Sequence, residues 1–179
     1  MARRGLKICC FTSVVFLVIL TIIIVSLSLT IFKPKEPQIT VQSVVLGSMQ
    51  SNVTPLSMLI TIDNPNYGGF KYESTTGYLN YNGSTVAEIP FAHNKIPARA
   101  KINMNTSTDL ITDKLISNPS FWEDVALGRV NFTSTATLPG KVSVAKIFKY
   151  RATTYITCYI LFHIQSQAVD SKCNTRIKL

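Results

Sequence analysis

Residues 154–165, TYITCYILFHIQ, form the longest run in the chain in which apolar and more polar side chains alternate. Successive side chains of a β-strand point to opposite faces of its sheet, so this run predicts a strand with one buried face. The apolar face carries Ile156, Cys158, Ile160, Phe162 and Ile164, and the other face carries Tyr155, Thr157, Tyr159, Leu161 and His163. The stretch therefore favours a fold built from antiparallel sheets.

The C-terminal segment supplies a partner for this strand, because its residues alternate in the same way. A hairpin that pairs Cys158 with Cys173 places Phe162 opposite Val169, and the two apolar faces then match throughout. A slip of one residue would turn every side chain to the wrong face, which makes this register a specific prediction. In an oxidising compartment the two cysteines are expected to form a disulfide, worth ~3 kcal/mol on the chain-entropy model for a loop of about fifteen residues.

Further strand patterns recur at intervals of roughly ten residues, as in all-β domains. They cover residues 39–42, 56–62, 78–81, 84–89, 99–105 and 130–138. Asn82-Gly83 supplies the two positive φ values of a type I′ hairpin turn, and Pro139-Gly140 predicts another turn. Many short strands of this kind predict a mainly β fold, a two-sheet antiparallel β-sandwich of about 140 residues.

One helical insertion is predicted among the strands. Residues 106–116 are expected to form a helix, because they open with the Thr-x-x-Asp spacing of a capping box. A second helix is expected to begin with Asn118 as its N-cap and Pro119 at its first position, and to end before Gly128. The side chains expected to face the sheet are Leu110, Ile111, Leu115, Trp122 and Leu127.

Residues 8–32 contain no charged side chain. A helix of this length would measure about 37 Å, enough to cross a hydrocarbon core of ~30 Å with some tilt. Arg3, Arg4 and Lys7 precede it, so the N-terminus is expected to remain in the cytosol. A cleaved signal peptide is the alternative, but the apolar run is long for an h-region and no small-residue cleavage site follows it. The expected divisions are a cytosolic basic tail (1–7), a transmembrane helix (8–32), a linker (33–37) and an extracellular β-sandwich domain (38–179).

Four Asn-x-Ser/Thr sequons fit an extracellular position for this domain and predict N-glycosylation. They lie at Asn52, Asn82, Asn105 and Asn131. Cys9 and Cys10 lie at the cytosolic edge of the predicted anchor, where cysteines can be palmitoylated. The alternative for this pair is that the two residues are simply apolar side chains in a helix.

No pattern in the sequence indicates catalysis, and no metal or other cofactor is predicted. His93 and His163 have no metal-ligand spacing, and the serines have no G-x-S-x-G context. The net charge of +9 falls to +6 once Arg3, Arg4 and Lys7 are removed. The remaining basic residues look scattered, whereas nucleic-acid binding would require a basic stripe. Golgi glycosyltransferases share the expected topology, but they usually have a larger catalytic domain and often an Asp-x-Asp metal site, which this chain lacks.

An ordered set of motifs carries a resemblance to a known family. Behind the apolar N-terminal run, these motifs are Asp63-Asn64-Pro65-Asn66, Tyr72, Tyr81-Asn82-Gly83, Ile89-Pro90-Phe91 and the late cysteines Cys158 and Cys173. With them the chain resembles the late embryogenesis abundant group 2 domain, also called the water-stress and hypersensitive-response domain. With the anchor in front, it resembles the harpin-induced-like plant membrane subfamily. The resemblance implies a single-pass type II plasma-membrane protein of plant defence or stress responses, with a fibronectin-III-like β-sandwich outside the cell and no enzymatic activity.

The Asn-Pro-Asn segment is interpreted as a strand terminator. Pro65 cannot donate a ladder hydrogen bond, and the side chains of Asn64 and Asn66 can bond to neighbouring main-chain groups. An exposed recognition turn is the alternative. The expected function is binding, with the lipid bilayer around the anchor and a protein partner, wall polymer or lipid surface at the outer domain. A tethered domain that protects against desiccation is the alternative function, and no nucleic-acid partner is expected.

Overall fold

The fold is described from a computed structural model that covers residues 2–31, 33, 35–48, 52–144 and 148–178. The chain divides into two compact units, Met1–Lys35 and Glu36–Leu179. The boundary between the units falls within residues 33–37. The first unit is helical and the second is rich in β-strands.

The first unit contains one helix, α1 (Ala2–Ile31), of 30 residues. Its described side chains are those of residues 11–27, and the large apolar ones among them are 41–71% exposed. Within the described part of the chain, no helix combines the length and apolar composition required of a membrane span. Phe32, the last residue of the predicted anchor, lies outside the described residues.

The described part of the second unit folds into strands of two antiparallel sheets and two short helices. In chain order these are β1 (Gln38–Leu46), β2 (Val53–Asn64), β3 (Gly68–Tyr72), β4 (Thr75–Tyr81), β5 (Ser84–Phe91), β6 (Asn94–Ile96), β7 (Ala100–Ile111), α2 (Thr112–Ile116), α3 (Pro119–Ala126), β8 (Arg129–Val144), β9 (Phe148–His163) and β10 (Ala168–Lys178). The smaller sheet has the order β1-β2-β7. The larger has the order β10-β9-β8-β3-β6, and β4 pairs with both β8 and β5.

Buried side chains from both sheets form one core. Leu56, Met58 and Ile60 of β2 belong to the same apolar cluster as Leu79 of β4 and Ile160 of β9. Two sheets that share a core in this way form a sandwich. The prediction of a mainly β, antiparallel fold with few helices is confirmed.

Side chains also join the two sheets at both edges of the sandwich. On one edge the main-chain N–H of Val41 in β1 donates to Oγ of Ser171 in β10 at 3.0 Å. On the other edge the hydroxyl of Thr106 in β7 donates to the carbonyl oxygen of Pro90 in β5 at 3.1 Å. Edge strands carry unpaired main-chain groups, and these contacts occupy some of them.

The longest ladder of the domain joins β8 to β9, from Arg129 opposite His163 to Val144 opposite Phe148. The other side of β8 is shared between two partners. Its first half pairs with β4 through Thr135, and its second half pairs with β3 from Gly140 onward. A single strand thereby positions two smaller groups of strands beside it.

The prediction of a turn at Pro139-Gly140 is wrong, because both residues lie inside β8. Pro139 falls where β8 changes partner from β4 to β3. Gly140 is required by close packing, because a Cβ atom there would overlap the carbonyl oxygen of Lys71 and lie 2.8 Å from the ring of Phe70. The pair of residues that usually marks a turn lies here where β3 packs closely beside β8 in the sheet.

The predicted helix over residues 106–116 is also wrong over most of its length. Residues 106–111 belong to β7, which pairs with β2 up to Ile111 opposite Val53, and only Thr112–Ile116 is helical. Strand pairing across the sheet outweighs the local capping-box pattern, since tertiary context overrides weak helix propensity.

The second helix begins and ends as expected. Oδ1 of Asn118 accepts a hydrogen bond from the main-chain N–H of Ser120 at 3.1 Å, Pro119 is the first helical residue, and Gly128 follows with a φ of +73°. The side chains of the helical insertion that pack on the core were predicted only in part. Leu110 and Leu115 are buried, but Trp122 and Leu127 are 58% and 67% exposed, and Phe121 and Val125 pack on the core instead.

The C-terminal hairpin has the register that the alternation predicts. Cys173 lies opposite Cys158, Val169 lies opposite Phe162, and the two cysteines form a disulfide. The Asn82-Gly83 turn between β4 and β5 has positive φ values of 44° and 82°, as a type I′ turn requires.

Candidate functional site

One buried amide organises the turn after β2. The side chain of Asn64 is 4% exposed, and its Nδ2 donates to the carbonyl oxygens of Gly68 at 3.0 Å and Pro97 at 2.9 Å. Its Oδ1 accepts from both the main-chain N and the Nδ2 of Asn66, each at 3.1 Å. A side-chain amide offers two donors and two acceptor lone pairs, so all of them are used here. Asn64 therefore fixes the end of β2 against the start of β3.

Arg99 covers this turn from the outside. Its main-chain N–H donates to the carbonyl oxygen of Asn66 at 2.9 Å, and its Nη1 donates to that of Pro65 at 3.0 Å. The guanidinium lies 4.6 Å from the centre of the Tyr67 ring, a cation–π contact. The geometry supports the interpretation of Asn-Pro-Asn as a strand terminator. The exposed part of the turn is formed by Tyr67 and Arg99, which the sequence did not single out.

We predict that Asn64→Asp lowers the free energy of unfolding by roughly 2–4 kcal/mol, since two donated hydrogen bonds are lost and a carboxylate then faces two carbonyl oxygens. Urea unfolding of the full chain measures the change. Asn174→Asp is the matched control, because Asn174 is exposed on β10 and should shift stability by less than about 0.5 kcal/mol. Equal effects from the two substitutions would contradict this role for Asn64.

The strands of the larger sheet bring basic and aromatic side chains together on its solvent side. Tyr155 lies opposite Arg176, and Tyr159 lies opposite Lys172. This surface, called the basic outer face, is formed by Lys141, Lys149, Arg151, Tyr155, Tyr159, Lys172, Arg176 and Lys178, all of them exposed. The basic residues look scattered in the sequence because their proximity depends on the registers of two ladders.

The basic outer face carries little negative charge. Asp170 is the acidic residue of β8, β9 and β10, and its Oδ2 lies 2.9 Å from Nε2 of His163. An open groove of about 580 Å³ runs between Lys141, Arg151 and Lys178, with Glu73 also in its wall. Such a surface is suited to attract an anionic partner.

The histidines lie apart from any metal-binding arrangement in the described part of the chain. Among those residues, no group of three or more His, Cys, Asp or Glu side chains is placed to hold a metal ion. His93 is exposed, and its main-chain N–H donates to Oγ of Ser74 at 3.1 Å. His163 is paired with Asp170 on the surface of the C-terminal hairpin.

Tyr81 holds α3 against the larger sheet. Its hydroxyl donates to Oδ2 of Asp124 at 2.9 Å, and its ring lies edge-on to Phe121 with centroids 5.8 Å apart. Burial, the hydrogen bond to Asp124 and the negative charges of Asp124 and Glu123 raise the pKa of Tyr81 to about 12. The unfolded value is about 10, so this contribution to stability is present below about pH 10 and is lost as the pH rises toward the folded pKa.

All four sequon asparagines are exposed. Asn52 precedes β2, Asn82 lies in the hairpin turn, Asn105 lies on β7 and Asn131 lies on β8. Glycosylation at these positions stays a prediction. The predicted palmitoylation sites Cys9 and Cys10 lie in the part of α1 whose side chains are outside the described set.

An apolar cavity of about 360 Å³ lies between the sheets at the end of the sandwich where α2 and α3 pack. The sequence analysis did not predict it, because inward-facing apolar residues indicate a core without showing how completely the core is filled. The cavity is lined by Val44, Leu46, Leu56, Met58, Leu79, Leu110, Leu115, Phe121, Trp122, Val125, Val130, Phe132, Ile160, Phe162 and Ile164.

These features define an antiparallel β-sandwich domain with a helical insertion and a disulfide-linked C-terminal hairpin. Residues 59–158 match the family model described as late embryogenesis abundant protein, and the chain belongs to this family. The family is generally non-enzymatic, and membership suggests a stress-related role.

Other comparisons add few relatives. No curated protein matches the chain significantly. A solved structure described as a crystal structure of a protein from Archaeoglobus fulgidus is similar over 81% of this chain and 98% of its own, with 11% identity and a TM-score of 0.38.

Proposed function

We propose that this chain is a membrane-anchored, non-enzymatic protein of plant defence or stress response, of the harpin-induced-like type. It acts by binding an anionic surface outside the cell through the basic outer face of a fibronectin-III-like sandwich. Family membership supports the stress-related role. The resemblance of the motif set to the plant membrane subfamily supports the finer assignment. The observation that carries the binding role is the gathering of basic and tyrosine side chains on one face of the larger sheet.

The anchor is supported by the sequence and by the surface of α1. Residues 8–32 carry no charge, and residues 11–27 expose apolar side chains on all sides of the helix. A helix that is apolar all round is stable when lipid or protein covers it. The described side chains alone span about 25 Å, so the proposal also relies on the uncharged residues that flank them. Arg3, Arg4 and Lys7 favour a cytosolic N-terminus and a type II position in the plasma membrane.

The basic outer face fits carboxylated wall polysaccharides and anionic lipid headgroups, which share negative charge at high density. Lysine and arginine side chains near an anionic lipid surface each contribute about 1 kcal/mol at physiological salt. Exposed tyrosines add area for contact with sugar rings or headgroups, since the ring is apolar and the hydroxyl can form hydrogen bonds. Tyr155 and Tyr159 are 46% and 60% exposed between the basic residues.

Topology is tested by glycosidase treatment of the full chain expressed in plant cells. We expect a shift to faster migration on electrophoresis, because the sequons would lie on the glycosylated side of the membrane. A variant with Asn52, Asn82, Asn105 and Asn131 all changed to Gln should migrate at the same position before and after treatment. An unshifted wild-type chain with cytosolic protease access after residue 37 would contradict the proposed orientation.

Binding is tested by replacing three residues of the basic outer face, Arg151, Arg176 and Lys178, with Gln. We expect the affinity of the full chain for polygalacturonate or for phosphatidylserine vesicles to fall roughly 10- to 100-fold at low salt. Whichever probe binds identifies the source of the negative charge. The affinity of the wild-type chain should also weaken with added salt.

The matched control is the triple change of Lys35, Lys101 and Lys114 to Gln, which removes the same charge from exposed positions outside the larger sheet. It should reduce affinity by only a few-fold. Equal losses in the two variants would show that net charge, and not the basic outer face, determines binding. Failure of the wild-type chain to bind either probe would refute an anionic partner of these two kinds.

A further inference from the structure

Among the residues that the structure describes, the apolar cavity has no polar lining side chain that could hold a water molecule. All of its lining residues are Val, Leu, Ile, Met, Phe or Trp. A buried water needs two to four polar partners, and an apolar cavity without them stays dry. The cavity is therefore empty or filled by an apolar group.

The cavity opens to solvent at one end. Leu46 at the end of β1 is 45% exposed and Trp122 of α3 is 58% exposed, whereas Leu115 and Ile160 deeper in the wall are 3% and 5% exposed. Nε1 of Trp122 donates to the carbonyl oxygen of Ile116 at 3.0 Å, which fixes the indole at the opening. A ligand can thus enter between the end of β1 and α3 without unfolding the sandwich.

The cavity lies in the thin layer between the two sheets. A second, smaller cavity of about 40 Å³ lies next to it, and Met58 and Ile160 line both. Packed sheets are ~10 Å apart, which leaves one layer of side chains between them. A layer of that thickness accommodates a linear chain more readily than a bulky ring system.

We propose that this cavity binds a single unbranched alkyl chain, such as the tail of a fatty acid, with its polar end in solvent beside Trp122. An engineered apolar cavity of ~150 Å³ binds benzene, so a volume of about 360 Å³ corresponds to roughly a dozen carbon atoms. The methyl and methylene groups of the aliphatic wall provide contact along the whole chain. This site is separate from the basic outer face and does not depend on the proposed anchor.

The test uses the full chain in lipid nanodiscs with dodecanoic acid that carries a diazirine near the end of its tail. After illumination, we expect mass spectrometry to find the label on peptides of β1, β2, β9 or α3 that line the cavity. Unlabelled fatty acids should compete, with affinity rising about fourfold per added methylene from eight carbons. The gain should end near twelve to fourteen carbons, when the cavity is full.

Val44→Trp and Val45→Trp form a matched pair on β1. Val44 lines the cavity, whereas Val45 points outward and is 62% exposed. Filling the cavity with the indole should lower labelling of cavity peptides at least tenfold, while Val45→Trp should leave it unchanged. Thermal unfolding shows whether Val44→Trp is folded. If it is not, Val125→Phe replaces it in the test, because a phenylalanine at this position of α3 fills the same space.

Three results would overturn the proposal, and the first two concern where the label is found. One is labelling confined to α1, which would place the probe in the bilayer only. The other is equal labelling of cavity peptides in the folded Val44- or Val125-substituted chain and in the Val45→Trp control. Absence of label from the whole chain would also refute the alkyl site, and would leave the binding test on the basic outer face unaffected.

Discussion

The ladder between β8 and β9 is the constraint on which the rest of the domain depends. It runs over the full 16 residues of each strand. On one side β9 holds β10 in a register that the Cys158–Cys173 disulfide secures. On the other side β8 holds β4 and β3 in succession. A shift of one residue in this ladder would exchange the inner and outer faces of the central strands.

Because side chains alternate along a strand, neighbouring residues of β9 contribute to two different surfaces. Ile160 points inward to the apolar cavity, and its neighbour Tyr159 points outward to the basic outer face. The proposed alkyl site and the proposed anionic-surface site therefore lie on opposite faces of one sheet. Changes at one face should leave the other intact where the substituted side chain does not disturb the ladder itself.

Local sequence determined the features that depend on neighbouring residues or on a single ladder. The Asn82-Gly83 turn, the Asn118 N-cap and the pairing of Cys158 with Cys173 were all predicted, because each follows from backbone preference or from matching two alternating patterns. The buried amide of Asn64 was predicted in part: the sequence indicated a strand end, but not the bonds to Gly68 and Pro97.

The remaining features depend on contacts between segments that are distant in sequence. Gly140 looks like a turn residue until Lys71 and Phe70 are placed against it. The segment 106–111 looks helical until β2 pairs with it. Trp122 was expected on the sheet because helix periodicity gives a face only when the helix position is known. The basic outer face likewise depends on the registers of two ladders. The cavity depends on incomplete filling of the core.

Hydrogen exchange along β8 in the full chain tests the central claim most directly. A single continuous strand predicts slow amide exchange in residues 136–138 and 140–144 alike, with protection comparable to that of residues 130–135. Fast exchange in residues 140–144, beside slow exchange up to residue 138, would show that β8 ends at Pro139. In that case the pairing of β3 with β8, and the order of the larger sheet described above, would be incorrect.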